Sequence, residues 1–141
     1  LLRQMVLARA FPNLSPEERL AQLTEVFESP ETLDYLCQIS GGHVRELLRL
    51  LNDWIKKQRK FPLTRGILDK VVKLRCDQMT NAIDDSEWEL LRQVEQTQRV
   101  SGGDAYQVLV RSLFVFQYRV EEESWSVVNP ILRLSSQLKA G

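Results

Sequence analysis

Apolar positions recur along this chain with two different periods, and helical spacing holds over roughly its first hundred residues. From His43 to about Gln58, Val44, Leu47, Leu48, Leu51 and Ile55 fall at i, i+3, i+4, i+7 and i+11, which predicts a helix with one buried stripe. Ahead of it, Ser15-Pro16-Glu17-Glu18 places a Ser cap, a Pro at the first helical position and a Glu three residues after the cap, predicting a helix from about 16 to 28. Ser29-Pro30 closes that helix and opens another, which turns Leu33, Leu36, Cys37 and Ile39 inward and ends at Ser40-Gly41-Gly42. After Phe61-Pro62, Thr64 is the expected cap of a helix reaching about Asn81 with Leu68, Val71, Val72 and Met79 buried. The apolar segment Leu1 to Ala10 makes a fifth helix.

At Asp84-Asp85 the composition changes. Ser86 and Glu89 read as a second capping box ahead of a helix with Trp88, Leu91 and Val94 inward, and Asp104 as the cap of a short helix from Ala105 to Ser112. Then the period switches to two. Phe114, Phe116, Tyr118 and Val120 alternate with Val115, Gln117 and Arg119, Glu121 to Ser124 form a loop, and Trp125 to Val128 make a second strand. Asn129-Pro130 starts a last short helix holding Ile131, Leu134 and Leu138. The expected fold is mainly α: a helical bundle over 1–83, then a small α+β domain over 84–141 with one β-hairpin.

The 141 residues are 43% apolar and 27% charged, with 19 basic against 19 acidic side chains, so the chain suits a soluble globular protein and excludes disorder. No apolar run approaches the roughly 18 residues a membrane span needs. Cys37 and Cys76 lack C-x-x-C spacing and His43 is the single histidine, so no four-ligand Cys/His metal site is expected. Two thiols without a disulfide framework suit a reducing, cytoplasmic setting. The chain opens at Leu1 inside an apolar pattern, as a piece of a longer protein would.

No catalytic constellation is legible. The chain contains neither G-x-x-x-x-G-K-[ST] nor G-x-G-x-x-G, and the glycine pairs at 41–42 and 102–103 read as turns. Asp84-Asp85 and Glu121-Glu122-Glu123 lack the ligand spacing of a calcium loop and read as solvated charge. Arg45 is the informative residue. It falls in the first turn of its helix, where the macrodipole disfavours a cation by about 0.3 to 1 kcal/mol. An anion docked there would reverse the sign, because free backbone N–H groups and a guanidinium fork both suit phosphate oxygens. The alternative is that Glu46 or solvent satisfies Arg45.

Ser40-Gly41-Gly42-His43-Val44-Arg45-Glu46-Leu47-Leu48-Arg49-Leu50-Leu51 resembles the sensor-2 signature of AAA+ and related STAND ATPases, a Gly-Gly-x-x-Arg opening the third helix of the C-terminal helical lid. The helices of residues 1 to about 82 follow the lid's order. The resemblance implies a lid over nucleotide held by a preceding P-loop domain of the same chain, with Arg45 meeting the γ-phosphate and Gly41, Gly42 and His43 forming the turn that presents it. ATP and Mg²⁺ would then belong to the parent protein, with neither held by this fragment alone. The parent would be an ATPase, and the fragment, lacking Walker A and B motifs, would not be an enzyme. Residues 84–138 resemble the winged-helix domain that often follows such a lid, and Asn129-Pro130-Ile131-Leu132 is similar to its ending in STAND proteins. Only two helices are legible before the hairpin, where a winged helix normally has three.

Charge argues against nucleic acid as a partner. A DNA-reading wing carries basic residues at its tip, whereas this tip is Glu121-Glu122-Glu123, and residues 84–141 hold six basic against nine acidic side chains. Trp54 and Trp125 are the candidate contact residues for a protein partner, with burial in the core as the alternative for each. The resulting expectation is a regulatory fragment that senses nucleotide through Arg45 and relays lid movement to a protein. A DNA-binding initiator-like module and a freestanding helical adaptor are the competing readings.

Overall fold

A computed structural model describes residues 4, 6–8, 11–99 and 103–139. The chain is mainly helical with one antiparallel hairpin. Its elements are α1 (Pro16–Val26), α2 (Pro30–Ile39), α3 (Val44–Gln58), α4 (Arg65–Asn81), α5 (Asp85–Thr97), α6 (Asp104–Arg111), β1 (Val115–Val120), β2 (Glu123–Val128), a 3-10 turn (Pro130–Leu134) and α7 (Ser136–Lys139). Of the first expected helix, residues 4 and 6–8 are helical and the remainder of that segment lies outside the described residues. Two compact units emerge, Leu1–Val72 and Lys73–Gly141, so the division falls inside α4 and not at the composition change at Asp84.

In the first unit, Leu33, Leu36, Leu47, Leu50, Trp54, Leu63 and Leu68 have almost no exposed surface and form the core. Ser15 caps α1 in a reciprocal box with Glu18, and Ser29 caps α2 by accepting from the backbone N–H of Thr32. The chain leaves α1 early, at Val26, because Phe27 turns extended and bridges to Leu63: the Leu63 N–H donates to the Val26 carbonyl at 2.6 Å and the Glu28 N–H to the Leu63 carbonyl at 2.8 Å. Thr64 stands at the cap position of α4, its carbonyl accepting from the Leu68 N–H at 3.1 Å. The Thr64 hydroxyl donates to Gln58 Oε1, while the free N–H of Arg65 is met at 2.9 Å by the Glu28 carboxylate, which sequence spacing could not reveal.

In the second unit, Asp84 caps α5 in a reciprocal box with Glu87, two residues ahead of the expected Ser86/Glu89 pair. Ser86 instead donates to the Asp84 carboxylate at 2.7 Å, so the stronger acceptor takes the backbone bond and the hydroxyl supports it. Asp104 is likewise the first residue of α6, with Gly103 at the cap position. The hairpin pairs Val115 with Val128 through Val120 with Glu123, leaving Glu121 and Glu122 as its two-residue tip with Glu121 at φ 54°. The second strand therefore begins at Glu123, earlier than Trp125. Trp88, Leu91 and Val94 of α5, Leu109 of α6, Phe116 and Val128 of the hairpin, and Ile131 and Leu132 beyond it are buried together in this unit. Leu132, not the expected Leu134, turns inward after Pro130; Leu134 is 58% exposed because the turn is 3-10 and shifts the inward face. Three helical segments precede the hairpin here, since the unit includes the end of α4 as well as α5 and α6.

Candidate functional site

The approach to α3 is built by two consecutive glycines. Gly41 has φ 67° and Gly42 φ 76°, a left-handed pair that side chains with a Cβ adopt only at a cost, and the turn is closed by the Gly41 N–H on the Gln38 carbonyl and the His43 N–H on the Ser40 carbonyl. Ser40, fully buried, donates its hydroxyl to the Cys37 carbonyl at 2.8 Å and fixes the end of α2. The reversal lets α3 begin at once, with His43 extended at φ −88°, ψ 116° in the cap position. His43 gives the first turn no side-chain cap, unlike Ser15, Ser29 and Asp84 at α1, α2 and α5.

Arg45 stands in that uncapped first turn, exposed, with no hydrogen bond or ion pair among the described residues. Glu46, next to it, has no exposed surface and is engaged by the protein elsewhere, so it does not answer Arg45. The first turn of this 15-residue helix therefore offers backbone N–H groups without a side-chain cap and one exposed guanidinium, groups whose chemistry suits an oxyanion. Glu46 was invisible as a buried group from sequence: a single Glu in a first helical turn reads as solvated charge favoured by the dipole.

The buried face of α3 is rotated from the expected stripe. Leu47, Leu50 and Trp54 are its core residues, whereas Val44 and Ile55 are each 40% exposed and Leu48 and Leu51 are half-buried. The pattern holds enough apolar positions for two adjacent sectors, and the tryptophan decided which one faces inward because it buries the largest area. Trp54 is accordingly a core residue and offers no contact surface: its Nε1 donates to the Thr64 carbonyl at 3.1 Å and its ring packs on Phe27 at 5.6 Å between centroids. Trp125 is half-buried on β2 and stacks on Tyr118 directly across the hairpin, with centroids 5.7 Å apart and planes at 22°. Burial pushes the Tyr118 hydroxyl above its ordinary pKa. Sequence alternation places Tyr118 on the first strand but not opposite Trp125, because a loop over 121–124 hides the pair that the observed two-residue tip at 121–122 creates.

Burial also pushes the Cys76 thiol up, and Cys37 is half-buried; neither is in a disulfide. Among the described residues, no three His, Cys, Asp or Glu side chains gather as metal ligands would, and no helix is long and apolar enough to cross a membrane. Comparison with known proteins returns no match: no family model fits the chain, and no curated protein and no solved structure is significantly similar to it.

Proposed function

We propose that this chain is the C-terminal regulatory part of a P-loop ATPase of the AAA+/STAND kind, in which Arg45 senses the bound nucleotide and the helical unit passes its state to a protein partner. The observation that carries the reading is Arg45 itself: an exposed arginine kept in a helix's first turn, its side chain without a partner among the described residues, behind a double left-handed glycine turn. A cation in that position is unfavourable alone and becomes favourable when an anion sits against it.

ATP held by the preceding domain supplies a terminal phosphate whose removal changes what Arg45 meets. With the triphosphate bound, Arg45 and the first-turn amides donate to its outer oxygens and tie α3 to the nucleotide domain. With the diphosphate bound, that acceptor is gone and α3 is released. The segment that transmits this change begins at the Ser40–Gly42 turn. Asn129, buried and capping the 3-10 turn after the hairpin, and the three helical segments before the hairpin support a winged-helix-like role for the second unit. Its acidic tip at Glu121 and Glu122, with Glu123 opening β2, supports protein contact over nucleic acid, since a phosphate backbone would be repelled.

The test is the coding sequence immediately upstream of Leu1. A domain there with G-x-x-x-x-G-K-[ST] and a later apolar strand ending in acidic residues is the expected result. A reading frame without such a domain overturns the proposal and leaves a helical adaptor.

A further inference from the structure

Helix α3 turns a row of cations to solvent. Arg49, Asn52 and Lys56 stand four, seven and eleven residues beyond Arg45, which on an α-helix places them within about 40° of its direction over a length of about 16 Å. Trp54, nine residues beyond Arg45, lies half a turn away and is fully buried, so the row points out of the core. All four residues are exposed, and none of their side chains makes a hydrogen bond or ion pair among the described residues. Asp53, the one exposed carboxylate of α3, sits about 80° round from Arg45 and pairs with no member of the row. Glu25 and Glu28 flank the far wall of the apolar groove that Val26, Phe27, Leu48 and Ile55 line; Glu28 accepts from the Arg65 N–H, and neither pairs with the row.

Like charges at four-residue spacing repel one another on a helix. The row is therefore complementary to an acidic surface, and Arg45 indicates which one. A helix that aims Arg45 at a phosphate aims Arg49, Asn52 and Lys56, which share its direction, at the walls of the domain that holds the phosphate. We propose that these three residues form a docking face for the nucleotide-binding domain, set against carboxylates of that domain when triphosphate is bound. The inference rests on Arg45 being the nucleotide sensor. It divides the work along α3: the row supplies salt-sensitive attraction, and Arg45 makes docking depend on the terminal phosphate. A second copy of the chain is disfavoured as occupant, because a two-fold contact through this face would set row against row.

The experiment uses the protein encoded by the whole reading frame, treated with a carbodiimide that joins an amine directly to a carboxylate touching it, and reads the products by mass spectrometry. With a non-hydrolysable ATP analogue bound, Lys56 is expected to join an Asp or Glu of the preceding domain, and to do so at least about fivefold less with ADP. The double change Arg49→Glu, Lys56→Glu is expected to lower ATP affinity about fivefold or more with ADP little changed. Because both residues are exposed, this variant should keep the wild-type melting curve. If Arg45→Ala loses ATP affinity while the double variant matches wild type and Lys56 joins no carboxylate of that domain, the docking face is wrong and the sensor reading stands. Unchanged ATP affinity in Arg45→Ala removes the sensor reading and the docking face with it. Equal cross-linking with the ATP analogue and ADP, or a Lys56 shielded by duplex DNA and not by the nucleotide-binding domain, would also overturn the proposal.

Discussion

Arg45 and Glu46 are consecutive residues in the first turn of α3, yet Glu46 is fully buried and Arg45 stands exposed, its side chain without a partner among the described residues. The residue that looks like Arg45's natural counter-charge is committed to the interior. Their substitutions should therefore behave oppositely. Glu46→Ala is expected to cost about 1 to 3 kcal/mol, because it strips a buried polar group from whatever it engages. Arg45→Ala should stay within about 0.5 kcal/mol of wild type, as exposed positions do. Urea unfolding of both variants checks this, and similar losses for the two would mean that Arg45 is structural.

Asn129 is another buried polar anchor. Its Nδ2 donates to the Leu113 carbonyl at 2.9 Å, its Oδ1 accepts from the Ile131 N–H at 3.0 Å, and its own N–H donates to the Phe114 carbonyl at 2.9 Å. Leu113 sits at φ 63°, a conformation uncommon for a bulky residue, and the amide bond helps to hold it there. Asn129→Ala should destabilise the second unit by about 2 to 3 kcal/mol, through one carbonyl and one N–H left unmet in a buried site. Asn129→Asp should be nearly as damaging, because a carboxylate cannot donate to Leu113. A thermal melt unchanged in either variant would contradict this.

Acid should act through the α5 cap. The Ser86 hydroxyl, and then the Glu87 backbone N–H, hold the Asp84 carboxyl below its usual pKa. Since the folded value is the lower one, its contribution is present above the unfolded carboxylate range near pH 4 and is lost as pH falls through the folded pKa. Asp84→Asn should accordingly melt below wild type near neutral pH and converge with it once the pH has fallen through the folded pKa. Circular dichroism melts at several pH values measure the gap, and a gap that stays constant would show that the carboxylate's charge is irrelevant.

Sequence pattern foresaw much of this fold because its signals were local. Ser15, Ser29 and the Gly41-Gly42 pair punctuate the chain where they were expected, and the change to alternation after Phe114 marks the hairpin. What stayed hidden depends on contacts distant in sequence. The Glu28 carboxylate meets Arg65 from 37 residues away. The inward sector of α3 was ambiguous because Leu47, Leu48, Leu50 and Leu51 serve two faces at once, and only the packing of Trp54 on Phe27 and its bond to Thr64 select one. At the candidate site, Arg45 and its glycine turn were legible, while the burial of Glu46 was not.

The central claim is that Arg45 distinguishes triphosphate from diphosphate. The direct measurement is the affinity of ATP and ADP for the protein encoded by the whole reading frame that carries this chain, wild type against Arg45→Ala, by titration calorimetry. A loss of about tenfold or more for ATP with ADP little changed is the predicted result, matching the removal of one charge-assisted phosphate contact. Equal affinities for both nucleotides in the two proteins would contradict it and make Arg45 an ordinary surface residue.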